Sequence, residues 1–166
     1  METLEDAPAS ATATEETVLV RLGGSRYGLP VRAVAEVGRL PALTRVPGLP
    51  EWVAGAANWR GRVLAVLDVR PLLEAPRAPV DRRGRMVVLT SRGVQAGLVV
   101  EGVEGTLDVD PSAVEPPLAS LPGRTAALLC GQLTDPVEGL EGPCGLLDLA
   151  ALFALADELP RVRRAG

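Results

Sequence analysis

The chain has 166 residues and a mass of 17.3 kDa, is 47% hydrophobic and 23% charged, and carries a net charge of -4 with two cysteines and no histidine. That is enough chain for one domain, or two small ones sharing a core, and the composition is that of a globular protein. Lack of histidine excludes a Ser-His-Asp triad, histidine-containing metal sites and a phosphohistidine relay on this chain. All 17 basic residues are arginine, so a P-loop lysine, a Schiff-base lysine and a Ser-x-x-Lys dyad are excluded as well. No catalytic residue, metal or cofactor is expected.

Met1 to Glu16 carries Glu2, Glu5, Asp6, Glu15 and Glu16 without an arginine, and reads as an acidic, solvated tail. It lacks the basic start and apolar stretch of a signal peptide, and the apolar run Leu149 to Ala156 is too short to span a bilayer. A cytoplasmic protein without direct membrane insertion is therefore expected, in which Cys130 and Cys144 are two small buried thiols rather than a disulfide. The 18 glycines and 15 prolines break the chain into apolar segments too short for a helical bundle, which points to an all-β fold of about eight to ten short strands.

In chain order, Thr17 to Leu22 is a β-branched run ending at Gly23-Gly24, a turn into Arg26 to Val31, and the two read as a hairpin. Val31, Val34 and Val37, spaced by three, predict one or two helical turns before Gly38. Pro47 and Pro50 stiffen a loop, Gly55 allows close backbone approach, and Asn58-Trp59-Arg60-Gly61 is a tight turn opening the strand Arg62 to Val69. Arg85 to Thr90 and Val94 to Val103 form a second hairpin about Ser91-Arg92-Gly93. Further strands fit Thr106 to Val109, Ala126 to Leu133 and Cys144 to Leu149, separated by the Pro-rich connection Pro111 to Gly123. Asp148 to Leu159 starts with a capping residue followed by good helix formers, and its apolar width predicts a buried C-terminal helix. Arg161 to Gly166 is a basic tail. Charge is polar along the chain: Thr17 to Val100 has 13 arginines against 5 acids, and Glu101 to Pro160 has 1 arginine against 11 acids. Such polarity either steers partners or is neutralised within the fold.

The most specific residues lie between Leu43 and Leu73. Gly55-Ala56-Ala57-Asn58-Trp59-Arg60-Gly61, an apolar strand, and Asp68-Val69-Arg70 are preceded by Tyr27-Gly28-Leu29-Pro30-Val31, Val34-Ala35-Glu36-Val37 and Thr44-Arg45-Val46-Pro47. They are followed by Gly97-Leu98-Val99-Val100-Glu101-Gly102-Val103 and Leu146-Leu147-Asp148-Leu149. These motifs, in this order, resemble the CheW family of chemotaxis coupling proteins. Trp59 in place of an aliphatic, Glu101 in place of an aspartate and a large Trp52 depart from the usual pattern. Those two indoles either add exposed contact area or fill a core otherwise poor in aromatic side chains.

The resemblance implies an all-β fold of two five-stranded SH3-like β-barrel subdomains sharing a hydrophobic core over residues 17–160, with short helices and a C-terminal helix. It implies a non-enzymatic adaptor that binds the regulatory domain of a CheA-type histidine kinase and the cytoplasmic tip of chemoreceptors, and that can self-associate in array rings. Partner contact would fall on Val34, Glu36, Gly55, Asn58, Trp59, Arg60, Gly61, Gly97 and Val103, with a receptor helix lying in an apolar groove between the barrels. For Gly61 and Gly97 a backbone need explains glycine without a partner. Arg60 is either a contact or the holder of an internal salt bridge to Asp68 or Glu36. A small RNA-binding barrel using the arginine-rich stretch from Arg60 to Arg92 is the alternative, disfavoured by an aromatic content of 2%.

Overall fold

The computed structural model describes residues 13–75, 84–134, 140 and 142–157. Residues 1–12 of the acidic tail, Arg77, Arg82 and Arg83 of the arginine-rich stretch, the end of the expected helix and the basic C-terminal tail lie outside them. Ten strands are described: β1 (Glu15–Leu22), β2 (Ser25–Pro30), β3 (Val34–Arg39), β4 (Val53–Trp59), β5 (Arg62–Leu67), β6 (Arg85–Ser91), β7 (Val94–Val100), β8 (Gly102–Val109), β9 (Leu129–Leu133) and β10 (Cys144–Leu147). Two helices join them, α1 (Gly123–Ala126) and α2 (Leu149–Asp157).

The strands form two five-stranded sheets, ordered β8-β1-β2-β10-β9 and β3-β6-β7-β5-β4. The second is built from one contiguous stretch of chain, while the first takes β1 and β2 from before it and β8 to β10 from after it. One barrel is thus inserted into the other. The charge polarity of the sequence follows this division: residues 34–100 hold 10 arginines against 5 acids, and residues 101–157 hold 1 arginine against 10 acids.

The central strands, β1 in the first sheet and β6 and β7 in the second, are buried on both faces. One face of the second sheet lines an interior of Ala57, Leu64, Val66, Met86, Val88 and Val99, and the first encloses Leu19, Val109, Leu133, Leu140 and Cys144. The opposite faces meet in a larger shared core, to which β1 and β2 bring Val18, Val20, Leu22 and Leu29, and β6 and β7 bring Val87, Leu89, Leu98 and Val100. This explains why Met86 to Leu89 and Leu98 to Val100 are unbroken apolar runs rather than alternating ones.

At the seam, Arg70 is 2% exposed and Asp68 7% exposed. The guanidinium donates two parallel hydrogen bonds to Asp68, from Nε to Oδ1 at 2.9 Å and from Nη2 to Oδ2 at 2.8 Å, and a third from Nη1 to Glu101 Oε2 at 3.2 Å. Glu101 is the residue at which the chain passes from β7 into β8, and it ties the crossing to the first hairpin by accepting from the Gly24 N–H at 3.2 Å. Its own N–H donates to the Arg21 carbonyl at 2.9 Å. The Asp-x-Arg motif is therefore a buried clamp on the crossover. Arg124 of α1 adds an exposed tie, donating to the Pro71 carbonyl at 2.8 Å.

Several expectations are corrected. Val31–Ala33 form a single 3-10 turn, and Val34–Arg39 is the strand β3, not a helix; its exposure alternates residue by residue, and pairing with β6 outweighs the period-three spacing. Glu15 and Glu16, read as tail, are strand residues opposite Val109 and Asp108. The stretch read as one strand from Val94 to Val103 is broken at Glu101, and β8 begins at Gly102. Ala126 belongs to α1, so β9 starts only at Leu129. Helix α2 begins after Asp148, whose Oδ1 accepts from the Ala151 N–H at 3.3 Å, but it is docked by one face: Leu152 is buried and Ala150 and Ala154 are exposed. Cys130 and Cys144 are free thiols. Cys144 is buried, and burial pushes its thiol pKa up to about 11. Cys130, expected to be buried, is exposed, because it is the extra residue of a bulge on the edge strand β9. Among the described residues no helix is long and apolar enough to cross a membrane.

Arg70→Met leaves the Asp68 carboxylate buried without its partner. It is expected to destabilise the fold by about 3–5 kcal/mol, read as a lowered urea midpoint in tryptophan fluorescence.

Candidate functional site

The expected partner-binding residues fall into three settings. Glu36, Asn58, Trp59, Arg60 and Gly61 gather at one rim of the second barrel. Val34 and Val103 flank the shared core. Gly55 and Gly97 are buried in the second barrel.

The rim is organised by the β4–β5 hairpin. Arg60 and Gly61 are its two central residues, with φ of 51° and 80°, so both occupy the left-handed region that a two-residue hairpin with the matching twist requires. Gly61 meets nothing within 4 Å of a Cβ position, which leaves conformation as its reason for being glycine. Arg60 points from the tip with its side chain 71% exposed. Arg92-Gly93, at φ of 51° and 79°, forms the same turn between β6 and β7, so an arginine in this conformation is not in itself a mark of function.

From β4, the Trp59 indole reaches across to β3, a strand at the other end of the sheet order. Its Nε1–H donates to Glu36 Oε2 at 2.6 Å. Arg60 completes the group: its Nε lies 3.0 Å from Glu36 Oε2 and its Nη2 2.7 Å from Oε1, while its Cζ is 5.7 Å from the centroid of the Trp59 ring. The Trp59 hydrogen bond first, and then the Arg60 guanidinium, hold the Glu36 carboxyl below the ordinary value of 4.5. Of the two salt bridges open to Arg60, the structure forms the one to Glu36, since Asp68 is taken by Arg70. Asn58 is exposed on the outer face of β4, opposite Val63, itself 73% exposed.

Val34 and Val103 lie elsewhere. Val34 pairs with Leu89 and Val103 with Val20, and both of those partners belong to the shared core, so the two valines stand at its edge, one from each barrel. Gly55 has a packing reason: at φ of 148°, its Cβ would lie 2.6 Å from the Thr44 carbonyl oxygen, where the preceding loop is bridged to β4 through Thr44 and Ala56. Gly97 has one too, because a Cβ there would meet Met86 Sδ at 2.7 Å.

The indoles resolve differently from either alternative alone. Trp52 packs against the shared core and Trp59 against the interior of the second barrel, and both are half-buried. Sequence reasoning missed Gly38, whose Cβ would lie 2.9 Å from Trp59 Cη2; the space the indole fills is left by this glycine. A glycine within the alternating segment Val34–Arg39 was the available signal. Among the described arginines of the stretch from Arg60 to Arg92, Arg70 is buried and neutralised and Arg60 is paired with Glu36.

A family model of the CheW-like domain matches residues 16–157. The chain is similar to Protein PilI of Pseudomonas aeruginosa, 38% identical over 85 residues, which are 51% of this chain and 48% of that protein. It is similar to Protein FrzA of Myxococcus xanthus, 33% identical over 109 residues, 66% of this chain and 68% of that one. Chemotaxis protein CheW of Bacillus subtilis is 27% identical over 101 residues, 61% of this chain and 65% of that one. The chain thus spans between about half and two-thirds of the length of these relatives. In fold it is similar to the crystal structure of the scaffolding protein TtCheW from Thermoanaerobacter tengcongensis, with a TM-score of 0.70 at 23% identity, covering 82% of this chain and 90% of that one.

Because the folded state holds Glu36 ionised more firmly than the unfolded chain does, this carboxylate's contribution to stability is complete above 4.5 and is lost as pH falls through the lower folded value. The difference in Tm between the native chain and Glu36→Gln is expected to be constant above about pH 5 and to shrink below about pH 4. Thermal melts across that range check it.

Proposed function

The chain belongs to the CheW family, and from that premise we propose that it is a non-enzymatic adaptor coupling the cytoplasmic tips of chemoreceptors to a CheA-type histidine kinase in a chemosensory array. The observation that carries the reading is the match of the CheW-like domain across residues 16–157. Because the relatives include proteins named PilI and FrzA beside those named CheW, the proposal leaves the behavioural output of the array open. In this reading the protein works in the cytoplasm and reaches the membrane through its partners.

The rim of the second barrel is the proposed contact for a β-barrel partner, the regulatory domain of the kinase. Arg60 and Glu36 supply charge, Asn58 a polar contact and Trp59 a half-buried apolar edge, and of these arginine and tryptophan are the residue types enriched at interface hot spots. Gly55, Gly61 and Gly97 support the contact by letting the backbone take its shape. Val34 and Val103, at the margin of the shared core, are the proposed apolar contacts for a receptor helix. The basic second barrel and the acidic return segments give each molecule two ends of opposite charge, which favours directional barrel-to-barrel contacts with the kinase and self-association in rings.

Arg60→Asn tests this without disturbing the turn, because asparagine is well suited to the left-handed region. Affinity for a purified kinase regulatory domain is expected to fall at least about fivefold for Arg60→Asn and further for Arg60→Glu, and to weaken for the native chain as salt rises from about 0.05 to about 0.3 M. Native-like affinity of both variants would remove Arg60 from the contact. Absence of binding by the native chain to both kinase and receptor fragments would contradict the adaptor function.

A further inference from the structure

The geometry points to Trp59 as a positioning residue, one that fixes the Glu36–Arg60 pair in a single arrangement before any partner arrives. The inference rests on the adaptor reading for its consequence, but its structural part stands on the indole itself.

An exposed arginine–glutamate pair holds itself in place poorly. Such pairs are worth about 0–1 kcal/mol because two flexible side chains must be ordered in water. Arg60 also stands at the tip of a hairpin, with nothing of its own backbone to restrain the guanidinium. Trp59 supplies the missing restraint from a different quarter. Its half-buried ring packs against the interior cluster of the second barrel, and its Nε1–H is aimed at Glu36 Oε2 at 2.6 Å. With one carboxylate oxygen held by the indole, both oxygens are also met by Arg60, at 3.0 and 2.7 Å. The ring face lies 5.7 Å from the same guanidinium, so Trp59 touches each member of the pair.

Gly38 makes the arrangement possible. It lies two residues beyond Glu36 on the same face of β3, since Glu36 pairs with Val88 and Gly38 with Met86, both interior residues. A Cβ there would come within 2.9 Å of the indole. An aliphatic residue at position 59 could fill the same interior but could not donate to Glu36. Trp59 and Gly38 therefore act as a matched brace. Arg60 is the charged group that meets the Glu36 carboxylate, while Arg39 on β3 and Arg62 at the start of β5 are exposed.

The test is an NMR titration of the two indole N–H signals, with Trp59 assigned by its loss in Trp59→Phe, combined with affinity for the purified kinase regulatory domain. The Trp59 signal is expected to move with the protonation of Glu36, at a midpoint below that of an ordinary glutamate, and to stop moving in Glu36→Gln. Trp59→Phe keeps the ring and removes the donor, and is expected to weaken partner binding about threefold to tenfold. Gly38→Ala is expected to weaken it in the same direction, although alanine favours a strand over glycine. A Trp59 signal insensitive to Glu36, or Trp59→Phe and Gly38→Ala binding as tightly as the native chain, would overturn the positioning role. A native chain that binds no kinase domain contradicts the adaptor reading instead, and the indole titration then decides the brace alone.

Discussion

The central strands of the two sheets must bury both of their faces, and the rest of the molecule depends on that constraint. A small barrel with one packed interior and one wet exterior has little apolar area to offset the entropy of ordering its chain. Here β1 and β2 of one barrel and β6 and β7 of the other turn their outer faces toward each other, and the shared core they build is larger than either interior. Inserting one barrel within the other means that the chain crosses this seam on its way out and on its way back. The return crossing at Glu101 is where Arg70, already forked onto Asp68, reaches across. A guanidinium so nearly excluded from water is tolerable because its carboxylate partners are fixed and its donors are aimed at them. The clamp specifies how the barrels sit, and so where the residues at the seam margin can lie.

With its interior committed, the second barrel has freedom at its rim. The β4–β5 hairpin carries Arg60 out of the fold on a turn whose conformation is shared with Arg92, and what distinguishes the two is the company each keeps. Arg60 has a carboxylate from another strand and an aromatic face beside it. A charged group already held in place loses less freedom on docking than a solvated one, which is the physical advantage of building a contact this way.

Much of this was legible in the sequence. The hairpins at Gly23-Gly24 and Arg92-Gly93 and the tight turn at Arg60-Gly61 could be read because turn residues state their conformation locally, and the motif order between Tyr27 and Leu149 carried the family. Three kinds of feature could not be read. β3 was concealed because Val31, Val34 and Val37 fit a helical period, and only pairing with β6 decides between the two. β4, Val53–Trp59, is dominated by alanine and glycine with low strand propensity, and is held by β5 and by the Thr44 bridge. The meeting of Trp59 and Glu36 joins residues from opposite ends of a sheet, a fact of barrel closure that no local pattern contains. For the same reason the burial of Arg70 at the seam is not contained in the Asp68-Val69-Arg70 motif that marks it in the sequence.

In the proposed function, the rim bearing Glu36, Trp59 and Arg60 is where the chain meets a kinase regulatory domain. Its most direct test is chemical-shift mapping of the labelled native chain as that domain is added. Perturbations are expected to centre on Glu36, Asn58, Trp59 and Arg60, with weaker effects at Gly97 inside the barrel. Perturbations confined to α2 and the β9 edge, with the rim unchanged, would contradict it.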